Sequence, residues 1–187
     1  MKARSQILLL TCKSITSVLV FIRALFLFSF FSYTVFMHTL LFFGLMFWVS
    51  FCFAKTEIQI EGARGWADDL PTWRLSKDHV MARLLAGGRE LTGYHLWVQT
   101  FVFSILHLVF LFVSWTWKIE LQLFSFIFYV WIVEDFMWFL LNPAFGLANF
   151  RRNKIWWHER HWWWIAPRDY FLFIPIATFL YYLSSVI

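Results

Sequence analysis

The sequence predicts an all-α integral membrane protein, a bundle of about five transmembrane helices with a polar segment at the membrane interface. Of its 187 residues, 61% are hydrophobic and only 14% are charged, whereas about 25% is usual in soluble domains. The apolar residues form unbroken runs of the length that crosses a hydrocarbon core about 30 Å thick. Lysine and arginine collect at the ends of these runs, where lipid headgroups lie. We therefore expect a single membrane domain, residues 1–187, with the lipid bilayer as its partner.

The first apolar region covers residues 15–54 and is interrupted only by Arg23. As a single helix it would be about 60 Å long, twice the thickness of a hydrocarbon core. We therefore expect a helical hairpin with a turn near residues 29–34, although neither Gly nor Pro marks that turn. A signal peptide is the competing interpretation. It fits poorly, because the region far exceeds the usual apolar run of about 7–15 residues.

The rest of the chain alternates between polar segments and apolar runs. The polar segment 55–96 begins with a strand-like alternation at residues 56–60. It continues with an amphipathic helix at residues 77–86, which Gly87 and Gly88 end. A second polar loop follows the fourth apolar run. The predicted spans are residues 14–32, 35–54, 97–117, 121–141 and 170–187.

The distribution of basic residues predicts the orientation, because cytoplasmic segments hold the excess of Lys and Arg. With five spans, the N-terminus and the loops 55–96 and 143–169 lie on one side, and Lys118 alone lies on the other. We therefore expect the N-terminus and both loops to be cytoplasmic. A four-span arrangement would place the N-terminal cations outside, so five spans are preferred.

Four ionisable residues within the predicted spans are candidates for function, since such groups cost about 2.5–3.5 kcal/mol on insertion scales. His107 lies midway along the third span, Glu134 and Asp135 lie two-thirds along the fourth, and Arg23 interrupts the first. Antiparallel packing of the third and fourth spans would bring His107 and the two carboxylates to similar depths. We therefore predict that these three residues are catalytic. The structural alternative is that they only fix the packing of the helices.

The loop after the fourth span contains candidate metal ligands. His158 and His161 are three residues apart and would share one face of a helix. With His95 and Glu134 they would form a set of imidazole and carboxylate ligands. Such a set suits a transition metal ion, either iron, zinc or manganese. The alternative is that both histidines are polar residues of the membrane interface.

The same loop is dense in tryptophan and basic residues, which is typical of a membrane interface. This placement accounts for the net charge of +5 without a nucleic-acid partner, for which no recognition module is present. The residues expected to contact lipid headgroups are Arg151, Arg152, Lys154, Trp156, Trp157, Trp162, Trp163 and Trp164.

Several sequence motifs are absent: the G-x-S-x-G elbow, the Walker loop, G-x-G-x-x-G and H-E-x-x-H. Serine hydrolases, nucleotide-driven proteins and zinc proteases lose their main support, and six histidines are too few for the histidine boxes of membrane desaturases. The leading hypothesis is a small membrane-embedded enzyme acting on a hydrophobic or lipid-like substrate near the cytoplasmic leaflet. It would be a metal-dependent oxidoreductase or hydrolase, or a proton-shuttling lipid isomerase. The alternative is a non-catalytic structural or assembly subunit with a membrane protein partner.

Overall fold

The computed structural model describes the backbone of residues 2–187 and the side chains of Arg23 and residues 33–187. The protein is mostly helical, and it divides into two units, Met1–Gly44 and Leu45–Ile187. The helices are α1 (Lys2–Glu61), α2 (Val80–Leu85), α3 (Gly93–His107), α4 (Trp117–Leu141) and α5 (Arg168–Val186), with short 3-10 turns at Leu108–Leu111, Leu147–Asn149 and Glu159–His161. Two antiparallel ribbons pair β1 (Arg74–Leu75) with β2 (Leu91–Thr92) and β3 (Trp162–Trp163) with β4 (Ala166–Pro167).

The first helix differs from the predicted hairpin. α1 runs as one helix from Lys2 to Glu61, so the turn expected near residues 29–34 is not found. That stretch contains neither Gly nor Pro to stop a helix, and extending a helix is favourable once its first turn exists. The span predicted at residues 14–32 lies outside the described side chains. Most of the described side chains from residue 33 to residue 44 are exposed.

The strand-like segment at residues 56–60 is also helical. It belongs to the last turns of α1, which ends at Glu61, and Gly62 follows with a left-handed φ of 66°. An alternation this short is a weaker signal than the extension of a helix that has already formed. The correction matters for function, because Glu57 and Glu61 are four residues apart and therefore share one face of α1.

The three other long helices correspond to the third, fourth and fifth predicted spans. α3 begins at Gly93, four residues earlier than predicted, because the Thr92 side chain accepts a hydrogen bond from the backbone N–H of His95 and caps the helix. Thr116 caps α4 in the same way. Pro143 follows the end of α4 and prevents its continuation.

Among the described residues, four helices are long and apolar enough to cross a membrane. α4 packs along α5 and buries the largest share of its own surface. Large apolar side chains such as Leu111 and Phe112 are left exposed, as expected for helices whose surroundings are lipid rather than water. The membrane-length segments are Tyr33–Glu61, Gly93–Leu111, Trp117–Leu141 and Arg168–Val186.

The polar segments that connect these helices meet at one end of the second unit. The side-chain amide of Asn142, at the end of α4, donates a hydrogen bond to the carbonyl of Gly62, at the end of α1 (2.8 Å). The amphipathic helix predicted at residues 77–86 is the shorter α2, and Gly87 and Gly88 follow it with positive φ angles. The segment after α1 and the loop after α4 therefore lie against each other.

An aromatic core fills this end of the second unit. Trp157 was expected to contact lipid headgroups, but it is only 6% exposed and packs in the core with Trp138 and Phe139. Its ring stacks on Phe139 with centroids 6.0 Å apart. The prediction is therefore wrong for Trp157, since the loop folds back onto α4 and buries this indole. Trp164, at the tip of the β3–β4 ribbon, is 91% exposed.

Candidate functional site

A cavity of about 450 Å³, here called the main cavity, lies in the second unit between the last turns of α1, parts of α3, α4 and α5, and the polar segments. Its size falls within the range of small-molecule sites. Its aromatic wall includes Trp66, Phe128, Trp131, Trp138, Trp157 and Phe173. Its carboxyl groups belong to Glu57, Glu61, Glu134, Asp135 and Asp169, and its basic or imidazole groups belong to Arg89, Arg168, His95 and His158.

His158 and Asp135 meet where the loop after α4 folds back onto that helix. Nε2 of His158 lies 3.6 Å from Oδ1 of Asp135, and the hydroxyl of Tyr170 donates a hydrogen bond to Oδ2. Arg89 Nη1 lies 3.0 Å from Nδ1 of His158. Because a guanidinium can only donate, Nδ1 accepts and the hydrogen of the neutral ring is on Nε2, facing Asp135. Nε2 of His158 therefore points its hydrogen toward Asp135 from just beyond hydrogen-bonding distance, and Nδ1, engaged by Arg89, is not free to act as a base.

Arg89 connects the segment before α3 with the start of α5. Its Nη2 lies 2.7 Å from Oδ2 of Asp169, and its guanidinium lies over the Trp66 ring at 4.7 Å from the centroid. Arg168 also pairs with Asp169, at 3.3 Å. Both guanidinium groups of the main cavity are therefore paired with the same carboxylate.

His95 is held from several directions. Its Nδ1 lies 2.7 Å from the Thr92 hydroxyl, its Nε2 lies 3.5 Å from Oε1 of Glu61, and its ring stacks on Trp66 with centroids 4.1 Å apart. Oε1 of Glu61 also accepts a hydrogen bond from the backbone N–H of Ala67 (2.7 Å). His95 and Glu61 thus join α3 to the end of α1, and both imidazole nitrogens are engaged.

Glu57 and Glu134 line the main cavity from α1 and α4. The Tyr94 hydroxyl donates a hydrogen bond to Oε1 of Glu57 (3.3 Å). Glu134 is only 7% exposed. The main cavity therefore places two carboxyl groups from different helices among aromatic rings.

Four buried side-chain polar atoms lack a hydrogen-bond partner within the described part of the chain. They are Nε1 of Trp131, Nε1 of Trp138, Oε1 of Glu134 and Nε2 of His158. All four residues line the main cavity. Because buried polar groups almost always have partners, this concentration indicates that the main cavity is where a further polar partner belongs.

Two histidines outside the helices have altered acidity. Burial lowers the pKa of His158, and this effect outweighs the opposing attraction of the Asp135 carboxylate. Burial also lowers the pKa of His161, with a contribution from the positive charge of Arg168. Both imidazoles are therefore neutral at neutral pH, and neither adds positive charge to its surroundings.

The structure does not bring His107 to the carboxylates of α4 with which it was predicted to act. Its Nε2 lies 3.2 Å from Oε1 of Glu120, and it is not among the residues that line the main cavity. The physical reason is the early start of α3. Counted from Gly93, His107 is about 21 Å along the helix and is its last residue, so it meets the first turns of α4 instead of Glu134.

The four predicted metal ligands do not converge. His95, Glu134 and His158 line the main cavity, whereas His161 lines a second cavity of about 360 Å³ beside Gly88 and Arg160. In the described part of the chain, no group of three or more His, Cys, Asp or Glu side chains is arranged to hold a metal ion. The prediction assumed that His158 and His161 share a helical face, but only a single 3-10 turn forms there.

The other predicted interface residues divide by exposure. Trp162 packs against the aromatic core, while Trp156, Trp163 and Trp164 are 46%, 48% and 91% exposed. The exposed basic residues of the same loop are Arg151, Arg152, Lys154 and Arg160.

Sequence reasoning missed Glu57, Glu61, Arg89 and Asp169. The two glutamates were assigned to a polar loop, although their spacing of four, with Ile58 and Ile60 between them, is compatible with a continuing helix. Nothing in the sequence predicted the ion pair of Arg89 and Asp169, because it depends on the fold and not on their spacing along the chain.

Comparison with known proteins gives no relative. No protein-family model matches this chain, and no curated protein or solved structure matches it either. Its chemistry is therefore argued from its own residues.

Proposed function

We propose that this chain is a small membrane-embedded enzyme that performs acid–base chemistry on a hydrophobic or lipid-like substrate held in the main cavity. The observation that carries the proposal is the buried carboxyl group of Glu134, which lines the main cavity together with Glu57 and several aromatic rings. Two carboxyl groups in one cavity can supply a base and an acid at the same place. Proton removal at one substrate atom and proton return at another is the chemistry of an isomerase.

The neighbouring residues have supporting roles in this proposal. Asp135, fixed by His158 and Tyr170, sits next to Glu134 on α4 and keeps that part of the helix in place. The apolar part of the substrate would pack against rings such as Trp131 and Phe173. Exclusion of water by these rings strengthens the electrostatic effect of each carboxyl group.

The proposal includes an orientation in the membrane. The membrane-length helices would cross the bilayer, and the end that holds the main cavity would face the cytoplasm. Exposed basic side chains support this orientation, because the loop after α4 carries Arg151, Arg152 and Lys154 and cytoplasmic loops are enriched in such residues. The substrate would then enter from the cytoplasmic leaflet.

The test compares lipid conversion by the wild-type protein and by Glu134→Gln. Purified protein in lipid nanodiscs is incubated with a total lipid extract, and the lipids are then separated by liquid chromatography, which resolves isomers, and followed by mass spectrometry. The substitution keeps the shape of the side chain but removes its proton transfer, so we expect one lipid to be converted by the wild type and not by the variant. Isomerisation would leave the mass of that lipid unchanged, while hydrolysis would add the mass of water.

Glu120→Gln is the matched control, because it makes the same chemical change on the same helix outside the main cavity. It should convert the lipid at the wild-type rate. Identical lipid profiles for wild type and Glu134→Gln, with both proteins folded, would contradict the proposal and favour a non-catalytic subunit of a membrane complex.

A further inference from the structure

The main cavity has more acidic than basic groups. Five carboxyl groups and two guanidinium groups line it. Both guanidinium groups, those of Arg89 and Arg168, pair with Asp169. His158 is neutral because burial lowers its pKa, so it does not correct the imbalance. The remaining four carboxyl groups have no lysine or arginine partner among the described residues.

Each of these four carboxyl groups has at most neutral or imidazole partners. Glu61 contacts His95 and the Ala67 amide, and Asp135 contacts His158 and Tyr170. Glu57 accepts a hydrogen bond from the Tyr94 hydroxyl, and Glu134 has an oxygen without a partner in the described structure. Negative charge buried without a cation is strongly unfavourable. A positively charged ligand would supply the cation that these carboxyl groups lack.

Two further observations indicate a ligand with a positive charge. Oε1 of Glu134 is buried and has no hydrogen-bond partner in the described structure. One of the carboxyl groups of the main cavity therefore has an oxygen that lacks a hydrogen-bond donor. The wall beside it carries the indole rings of Trp131 and Trp138, whose faces attract cations. Arg89 over Trp66 already shows this type of contact in the same wall.

The size of the main cavity limits the ligand. A volume of about 450 Å³ holds on the order of 15 groups the size of a water molecule. This is enough for a polar end and part of one hydrocarbon chain, and too little for a complete two-chain lipid.

We propose that the main cavity binds a long-chain amphiphile whose polar end is an ammonium group, held by Glu134 and Glu57 and by the tryptophan faces. This inference rests on the proposed function and names the substrate class of that site. The indole N–H groups of Trp131 and Trp138, which lack acceptors, further favour an oxygen atom next to the ammonium group, as in a long-chain amino alcohol.

The test measures binding and not turnover, so it does not depend on the reaction. Tryptophan fluorescence of the detergent-solubilised protein is titrated with n-dodecylamine, n-dodecanol and n-dodecanoate, which share one chain and differ in charge. We expect the amine to bind about tenfold more tightly than the alcohol, as one charge-assisted hydrogen bond provides. Glu134→Gln should abolish this preference and Glu120→Gln should keep it.

A second pair of variants covers the case in which Glu134→Gln does not fold. Glu57→Gln should reduce the preference for the amine. Trp131→Phe, which keeps a ring but removes the N–H, should weaken binding of a long-chain amino alcohol more than binding of n-dodecylamine. Equal affinity for amine and alcohol, tightest binding of the carboxylate, or displacement of the amine by zinc or manganese ions would each overturn the inference. Amine binding without lipid conversion would leave the inference standing and overturn the proposed function.

Discussion

The two ends of α4 each bring a histidine to a carboxylate, and the main cavity lies beside only one of these pairs. Near the start of the helix, Glu120 is fully partnered. His107 contacts one of its oxygens at 3.2 Å, and the Trp115 indole donates to the other at 2.9 Å. The second nitrogen of His107 donates a hydrogen bond to the Phe103 carbonyl (2.7 Å). Every polar atom of this pair has a partner, as expected for a contact that only fixes helix packing.

Near the other end, Nε2 of His158 lies 3.6 Å from Asp135 and has no hydrogen-bond partner in the described part of the chain. The adjacent Glu134 also has an unpartnered atom, Oε1, and the main cavity, which Glu57 lines as well, lies beside it. The comparison shows that a histidine–carboxylate pair alone does not identify a site. The informative feature is an unpartnered acid in a wall that has room for a ligand.

Among the variants that test this comparison, Arg89→Ala is expected to cause the largest decrease in the free energy of unfolding. The side chains of Arg89 and Asp169 are only 15% and 9% exposed. Loss of one partner from a buried ion pair destabilises proteins by about 3–5 kcal/mol, which is an upper bound here because Arg168 still pairs with Asp169. The contacts of Arg89 with His158 and Trp66 would be lost as well. Denaturant titration in detergent micelles measures this change in the free energy of unfolding.

Arg64→Ala is the control for that measurement. Arg64 also forms ion pairs, with Asp68 and Asp69, but its side chain is 63% exposed, and exposed pairs contribute little. We expect no measurable change. A loss for Arg89→Ala as small as that for Arg64→Ala would show that the Arg89 network does not stabilise the cavity end of α4.

The long helices were predictable because their signal is local. Unbroken apolar runs predict the helices α3, α4 and α5. Acidic residues are costly in a run of membrane length, so Glu134 and Asp135 could be recognised as candidates. Only some residues of the candidate site could be predicted from the sequence. His158 was chosen as a metal ligand, but in the fold Arg89 engages its Nδ1 and its Nε2 faces Asp135 at 3.6 Å. Such neighbours cannot be seen in a single sequence.

The predicted role of His107 failed for a geometric reason. The depth of a residue in the membrane is counted from the first residue of its helix. α3 begins earlier than its apolar run because of the cap at Thr92, so the depth assigned to His107 was wrong. The shift moves His107 to the far end of its helix, next to Glu120. An error of a few residues at a helix boundary is common, and here it exchanged one carboxylate partner for another.

A decrease in pH is expected to have an intermediate effect on the free energy of unfolding. Burial lowers the pKa of His158 in the folded protein, so the unfolded chain, with the ordinary value near 6.5, takes up the proton first as pH falls. The free energy of unfolding should therefore decrease below about pH 6.5, by up to about 1.4 kcal/mol per pH unit from this group. Unfolding titrations from neutral to mildly acidic pH measure the slope.

His158→Asn removes the titrating group and keeps a side chain that accepts a hydrogen bond from Arg89. The variant should show a flatter dependence on pH than the wild type. His161→Asn is the variant for comparison, because the imidazole of His161 lines the second cavity. An unchanged slope in His158→Asn would mean that this histidine is not buried in its neutral form at the cavity end of α4.

The smallest effect is expected at the other end of α4, from a double-mutant cycle of His107→Ala and Glu120→Gln. Because the two side chains are 22% and 15% exposed and each keeps a further partner, their coupling should be about 0.5–1.5 kcal/mol. The cycle reports what the negative charge of Glu120 contributes to the contact, because the amide of glutamine can still hydrogen-bond to His107. Binding of n-dodecylamine should be the same in all four proteins, because neither residue lines the main cavity. If either single variant lost the preference for the amine, the two ends of α4 would be coupled, and the assignment of the start of the helix to packing alone would be wrong.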